Sequence, residues 1–191
     1  MYVCLEGIDG SGKSTQLKML WKWLEEYGFE VISVFEPTDS PAGRLIREML
    51  KDSTASGPDS QRTLGLLFAA DRMMLMEKIL EAESKNQIII SDRSFYSSIA
   101  YQDDEKWILE INKHIKKPDL VILLDVETQS ALSRCDGKDH FENQAFLEKV
   151  RKNYLKLAQK NNFLVVNANN GVKKVHEDIK TIISPRIGRC I

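Results

Sequence analysis

Short apolar runs alternate along the chain with longer stretches in which apolar residues recur every three or four positions. The short runs fall at 2–6, 30–35, 87–91, 119–124 and 163–167. Their length and their Val, Ile and Leu content predict strands. Leu120-Val-Ile-Leu-Leu124 is apolar at every position, as a strand covered on both faces must be. The longer stretches, at about 14–27, 43–51, 60–84, 95–114, 128–134, 143–161 and 172–183, predict helices. Strand and helix in alternation predict an α/β fold: three α/β/α layers around a five-stranded parallel sheet.

Two segments break the rhythm. In the stretch that begins near Ser60, Leu64, Leu66, Leu67, Phe68, Met73, Met74, Leu75, Met76, Ile79 and Leu80 leave a helix apolar around most of its girth. A surface helix carries one stripe, so this one is expected to pack on more than one side, either as a central core helix or against a second copy of the chain. The polar run 134–142, between two helical stretches, is expected to be a mobile surface loop.

Composition narrows the classes. A length of 191 residues suits one domain, and 42% hydrophobic with 29% charged residues excludes disorder as the main state. Lys+Arg 27 against Asp+Glu 28 provides no global field for a nucleic acid polymer or a membrane surface, so only a local basic pocket is expected. No apolar run approaches the roughly 20 residues that span a bilayer, and the first residues lack the basic start of an export signal. The expectation is a cytoplasmic protein. Cys4, Cys135 and Cys190 form no motif, and His114, His140 and His176 are scattered, so a metal is expected to arrive with a substrate.

Gly7-Ile8-Asp9-Gly10-Ser11-Gly12-Lys13-Ser14 fits the phosphate-loop pattern G-x-x-x-x-G-K-[ST], with a predicted strand before it and a predicted helix after it. Gly7, Gly10 and Gly12 allow the backbone to turn its N–H groups inward, and the following helix N-terminus adds positive charge, which together make a polyphosphate nest. Lys13 is placed for the β- and γ-phosphates, Ser14 for a bridging Mg²⁺, and Thr15 for the α-phosphate. A guanine-specific N-K-x-D is missing, because Asn112-Lys113-His114-Ile115 lies in a helical stretch without the Asp. Asp92 and Asp125 both follow predicted strands, as a metal-shell carboxylate does. Arg93 directly follows Asp92, and a guanidinium at a strand's carboxyl end suits a second phosphate group, as a kinase with a phosphorylated acceptor requires.

Together with Glu36-Pro37-Thr38, Leu67-Phe68-Ala-Ala-Asp-Arg72, Asp92-Arg93 through Ala100-Tyr101-Gln102, and Pro118-Asp119 through Asp125, the phosphate loop resembles the thymidylate kinase family over nearly the whole chain. The resemblance implies strand order 2-3-1-4-5, transfer of the ATP γ-phosphoryl group to dTMP, and a homodimer. It implies that Phe68 stacks on thymine, Arg72 bonds its carbonyl edge and Ser98 and Gln102 complete that edge. Tyr101 would crowd out a ribose 2′-OH, Asp9 meet the 3′-OH, and Arg93 hold the acceptor phosphate. Asp92 would serve the magnesium shell, Pro37 the wall beside the base, with Glu36 of the same turn also in the substrate site, and Arg44 or Arg47 would add charge. From the residues alone, Phe68 and Arg72 also read as a core aromatic and a solvated charge.

Two departures stand out. Ser94 follows Asp92-Arg93 where the family often has Tyr or His. Ser11 occupies the variable loop position, so the lid should supply the cation over the transferring group, yet Asp139-His140-Phe141-Glu142 carries His where the family's lid has Arg. Arg134 and Lys138 are the remaining lid cations, and Arg134 is favoured because its planar fork spans two phosphate oxygens. The rival readings are a kinase for another acceptor and a nucleotide-binding regulatory module.

Overall fold

The computed structural model describes residues 1–52, 57–102, 104–134 and 144–188. Its sheet consists of β1 (Tyr2–Glu6), β2 (Val31–Phe35), β3 (Ile88–Asp92), β4 (Leu120–Asp125) and β5 (Leu164–Asn167). All pairings are parallel, in the order β2-β3-β1-β4-β5. The apolar runs were read within a residue or so of these strands. β1 is central and wholly buried, its four apolar residues and the terminal Glu6 alike.

Register places the functional ends together. Leu5 is opposite Asp92 on β3 and Glu6 is opposite Leu123 on β4. The loop leaving β1 therefore lies beside the turn leaving β3, in the crevice outside the carboxyl ends where open α/β sheets bind ligands.

The helices are α1 (Lys13–Glu26), α2 (Pro41–Met49), α3 (Pro58–Ser84), α4 (Phe95–Tyr101), α5 (Glu105–Ile111), α6 (Thr128–Leu132), α7 (Gln144–Asn161) and α8 (Val172–Ile183), with a 3-10 turn at Ser184–Ile187. The larger core cluster joins β1 and β4 to Leu20 and Leu24 of α1, Tyr154 and Leu157 of α7, and Val175 and Ile179 of α8. A smaller cluster seats Leu75, Met76 and Ile79 of α3 against Val34 and Ile89. The long apolar helix is divided: Leu64, Leu75, Met76 and Ile79 are buried, while Leu66, Met73, Met74 and Leu80 face outward.

The stretch 95–114 was expected as one helix and is two. α4 stops at Tyr101, and Asp104 caps α5 by accepting from the Trp107 N–H at 3.0 Å. An Asp before an apolar stretch is a helix-start signal that periodicity alone overrode. α6 also ends earlier than expected, at Leu132, so Arg134 lies beyond it. Lys138 and His140 of the expected lid, with Cys135 and Cys190, lie outside the described residues.

α2 starts on a Ser40 cap, whose Oγ accepts from the Gly43 N–H at 2.9 Å, with Pro41 in the first turn. There the helix passes so close to the preceding turn that a Cβ on Gly43 would lie 1.9 Å from the Thr38 carbonyl oxygen. Backbone atoms cannot yield as a side chain can. Gly43→Ala is therefore expected to lower stability by at least about 2 kcal/mol, read as a fall in the urea midpoint at unchanged slope.

Candidate active site

The phosphate loop turns through Gly7, Gly10 and Gly12, at φ 149°, 75° and 91°. At Gly10 the approach is tight as well: a Cβ would sit 2.2 Å from the Ala131 carbonyl oxygen. Ile8 and Ser11 are buried beneath the loop, and Ser14 and Thr15 open to its mouth. Lys13 starts α1 and folds back over the loop, donating to the carbonyls of Ile8 at 2.9 Å and Gly7 at 3.0 Å. Burial, reinforced by the charge of Arg93 and opposed by Asp9 and Asp92, pulls the Lys13 ammonium down to about 8. Ser14 Oγ donates to Asp92 Oδ2 at 2.6 Å and so joins the loop to β3. Asp125, which ends β4, is instead gripped by Arg151 through two bonds of 2.6 and 2.9 Å.

Asp92 and Arg93 do not pair with each other. Arg93 has φ 77°, which turns its side chain back across β1. Its guanidinium pairs with Asp9 and donates to Gly7 O at 3.2 Å, Ser97 Oγ at 3.0 Å and Tyr154 Oη at 3.2 Å. Tyr101 donates to the other Asp9 oxygen at 2.8 Å. Burial, with the negative charge of Asp9, raises the Tyr101 phenol and keeps that donor protonated. Burial alone would raise the Asp9 carboxyl, but Arg93, Lys13 and these hydrogen bonds outweigh it and hold Asp9 low.

Next to this pair opens a cavity of about 260 Å³. Asp9, Glu36, Pro37, Arg47, Phe68, Arg72, Arg93, Ser98, Tyr101 and Gln102, the positions expected around an acceptor, all line it, together with Leu50, Gln61, Leu64 and Ser97. Arg47 reaches it from α2 while donating to Pro37 O at 2.6 Å and Asp39 at 2.8 Å. Arg44 is exposed on Asp39 O and is not among the lining residues.

Arg72 is not a solvated charge, since it is 1% exposed. Its Nε donates to Glu36 at 2.6 Å, Nη1 to Asn112 Oδ1 at 3.2 Å, and Nη2 to Ser94 O at 3.3 Å and Ser98 Oγ at 3.0 Å. A guanidinium has five N–H groups, so one on Nη1 is left, beside the Phe68 ring whose centroid lies 5.4 Å from Arg72 Cζ. Burial raises the Glu36 carboxyl despite the opposing charge of Arg72. Gln102 donates to Gln61 O at 2.7 Å, while its buried Oε1 has no partner among the described residues.

Several members were not singled out from the sequence. Asn112 accepts from Arg72, Ser97 and Tyr154 accept from Arg93, Glu6 accepts from both of those hydroxyls, and buried Asp71 fixes the 36–40 turn by accepting from Thr38 N, Thr38 Oγ1 and Ser40 Oγ. Only Glu6 left a trace, as a carboxylate ending an apolar strand. Arg134 rests beside the phosphate loop, with Nη1 3.4 Å from Gly10 O.

A family model described as thymidylate kinase matches residues 5–179. The chain belongs to the thymidylate kinase family. A probable thymidylate kinase of Methanobrevibacter smithii is 50% identical over 190 residues, covering 100% of this chain and 97% of the relative. One of Methanothermobacter thermautotrophicus has the same identity and coverage, and one of Methanosphaera stadtmanae is 48% identical over 189 residues, covering 96% and 97%.

Within this member of the thymidylate kinase family, Ser94 is no weak point. Its backbone N–H and Oγ both donate to Glu6, its carbonyl receives Arg72, and its Oγ caps α4. The low Lys13 value carries its own test. A lysine that loses its proton near pH 8 in the free enzyme binds polyphosphate less well above that pH, so kcat/KM for ATP is expected to fall across an alkaline limb near 8. Lys13→Arg cannot deprotonate there and should abolish that limb, whatever its absolute rate.

Proposed function

We infer that the chain phosphorylates dTMP to dTDP with ATP as donor and Mg²⁺ as the accompanying metal ion. The observation that carries this reading is the cavity lined by Phe68, Arg72 and Gln102, joined to the phosphate loop through Asp9 and Arg93. Thymine offers a flat face, a carbonyl acceptor and an imide N–H donor. Phe68 supplies the stacking face, the remaining Arg72 N–H a donor, and Gln102 Oε1 an acceptor. Tyr101 and Asp9 border the sugar, Tyr101 leaving no room for a 2′-OH and Asp9 accepting from the 3′-OH. Pro37 walls the base and Arg47 adds charge.

The residues fit a Mg²⁺ ion: Ser14 Oγ and Asp92 Oδ2 meet at the loop mouth, and a hard cation that keeps several waters needs few protein oxygens. When bound, it neutralises charge on the donor phosphates. Lys13 leaves the loop carbonyls for the β- and γ-phosphates, Thr15 meets the α-phosphate, and Arg93 holds the acceptor phosphate in line. No general base is needed, since a phosphate monoester oxygen is already ionised at neutral pH. Catalysis is then alignment and charge neutralisation, with Arg134 as the cation over the transferring group.

The reading includes one domain with a lid at 134–142, a cytoplasmic location, no nucleic acid polymer or membrane as partner, and a homodimer joined along α3 through exposed Leu66, Met73 and Met74. Among the described residues no helix is long and apolar enough to cross a membrane.

The test is ADP release with a panel of nucleosides and monophosphates. The expected result is dTMP as best acceptor, with dCMP at least about 100-fold lower in kcat/KM, because cytosine sets a bare nitrogen against Gln102 Oε1 and an amine against Arg72. Faster turnover of a plain nucleoside would point to another acceptor class, and no turnover of any compound to a regulatory module. Arg134→Ala is expected to lower kcat by about 10³-fold at saturating substrates. Wild-type kcat in that variant would remove Arg134 from the mechanism.

A further inference from the structure

Glu6 is a carboxylate that the reaction described above does not use. It ends β1, is completely buried, and forms no ion pair among the described residues. A bare carboxylate in such a place is costly unless its lone pairs are filled. They are: Oε1 accepts from Ser94 N at 2.8 Å and Ser94 Oγ at 2.7 Å, and Oε2 from Ser97 Oγ at 2.7 Å and Tyr154 Oη at 2.9 Å. The last two hydroxyls are also acceptors for Arg93 Nη1, at 3.0 and 3.2 Å.

Proton bookkeeping gives this arrangement a direction. Ser97 and Tyr154 have one hydroxyl proton each. The two oxygens also lie 2.8 Å from each other, close enough for one hydroxyl to donate to the other. An ionised carboxylate only accepts, so it takes at least one of the two protons directly, and the second goes to it or to the hydroxyl already bound to it. Either way the protons point toward Glu6 and lone pairs remain for Arg93, so the charge of Glu6 sets the polarity of two hydrogen bonds that it does not itself make.

We propose that Glu6 is a positioning residue for phosphoryl transfer, which orients Arg93 through the hydroxyls of Ser97 and Tyr154. The proposal rests on the assignment of Arg93 to the acceptor phosphate. It goes beyond that assignment by naming what holds the guanidinium still when Asp9 turns to the acceptor's sugar. Ser94, tied to the same carboxylate, caps α4, which carries Ser97, Ser98 and Tyr101. One buried group thus places the phosphate grip and the near wall of the cavity together.

Glu6→Gln keeps the shape but adds an amide N–H₂. In the place of Oε1 it would oppose the Ser94 N–H, donor against donor, so it takes the place of Oε2 and donates to the Ser97 or Tyr154 hydroxyl, which reverses a bond in the relay. The expected result is a kcat with dTMP lower by about 100-fold and a raised KM for dTMP, with KM for ATP within about twofold of the parent. A role in structure alone would not depend on Arg93, so the same substitution is made in Arg93→Ala. There it is expected to change kcat by less than about threefold, because the group it acts through is gone.

Equal losses in the two backgrounds, or a Glu6→Gln kcat within about twofold of the parent, would overturn the proposal. If Glu6→Gln does not fold, Tyr154→Phe breaks the same relay and enters the same cycle: a loss of about tenfold that vanishes in Arg93→Ala supports the proposal, and equal losses overturn it. Should Arg93→Ala itself keep the parental kcat, the assignment of Arg93 falls and this proposal with it. A damaged Arg93→Ala beside an undamaged Glu6→Gln removes this proposal alone.

Discussion

The pairing of Arg93 with Asp9 ties the two halves of the site together. Asp9 belongs to the phosphate loop after β1, and Arg93 to the turn after β3. The parallel register of those strands brings the two turns alongside, and the left-handed backbone of Arg93 sends its guanidinium across the gap. From there it touches Gly7, Asp9, two residues of α4 and Tyr154 of α7. An ion pair of this kind, with the Asp9 side chain 41% exposed, contributes little to stability, since solvent screens much of its attraction. Its value here is geometric: it fixes the distance between the phosphate loop and the neighbouring cavity. It also concentrates positive charge, which is part of why Lys13 holds its proton so loosely before an anion arrives.

In the proposed reading, specificity rests on another guanidinium, that of the fully buried Arg72. Glu36, Asn112, Ser94 and Ser98 occupy four N–H groups of Arg72 and leave one. A free arginine would bond many partners. One locked by four acceptors from three separate segments keeps a single N–H, the donor proposed for thymine, with Gln102 as the proposed acceptor. Under that proposal thymine is preferred to cytosine because the wrong base leaves buried polar groups unsatisfied.

Much of this was legible from the residues. The phosphate loop announces itself because its glycines, lysine and serine serve backbone and charge requirements that are local, and the strands because burial on both faces demands unbroken apolar runs. Strand order and the acceptor residues came from resemblance, since nothing in periodicity distinguishes 2-3-1-4-5 from another order. Ser94 looked like a defect in a motif, whereas it is a cap and a triple hydrogen-bond partner. Tyr154 and Asn112 carried no signal: each sits in an ordinary helical pattern and acquires its role only when α7 and α5 pack against the site. The break between α4 and α5 was missed because an apolar period ran through it.

The central claim is that Arg93 grips the phosphate of the acceptor, and calorimetric titration of dTMP and of thymidine into the parent and Arg93→Ala tests it most directly. In the parent, dTMP should bind at least about tenfold more tightly than thymidine, the factor that one charge-assisted contact supplies. In Arg93→Ala that advantage should shrink to within about threefold, with thymidine binding unchanged. An advantage for dTMP that persists undiminished in Arg93→Ala would contradict the account.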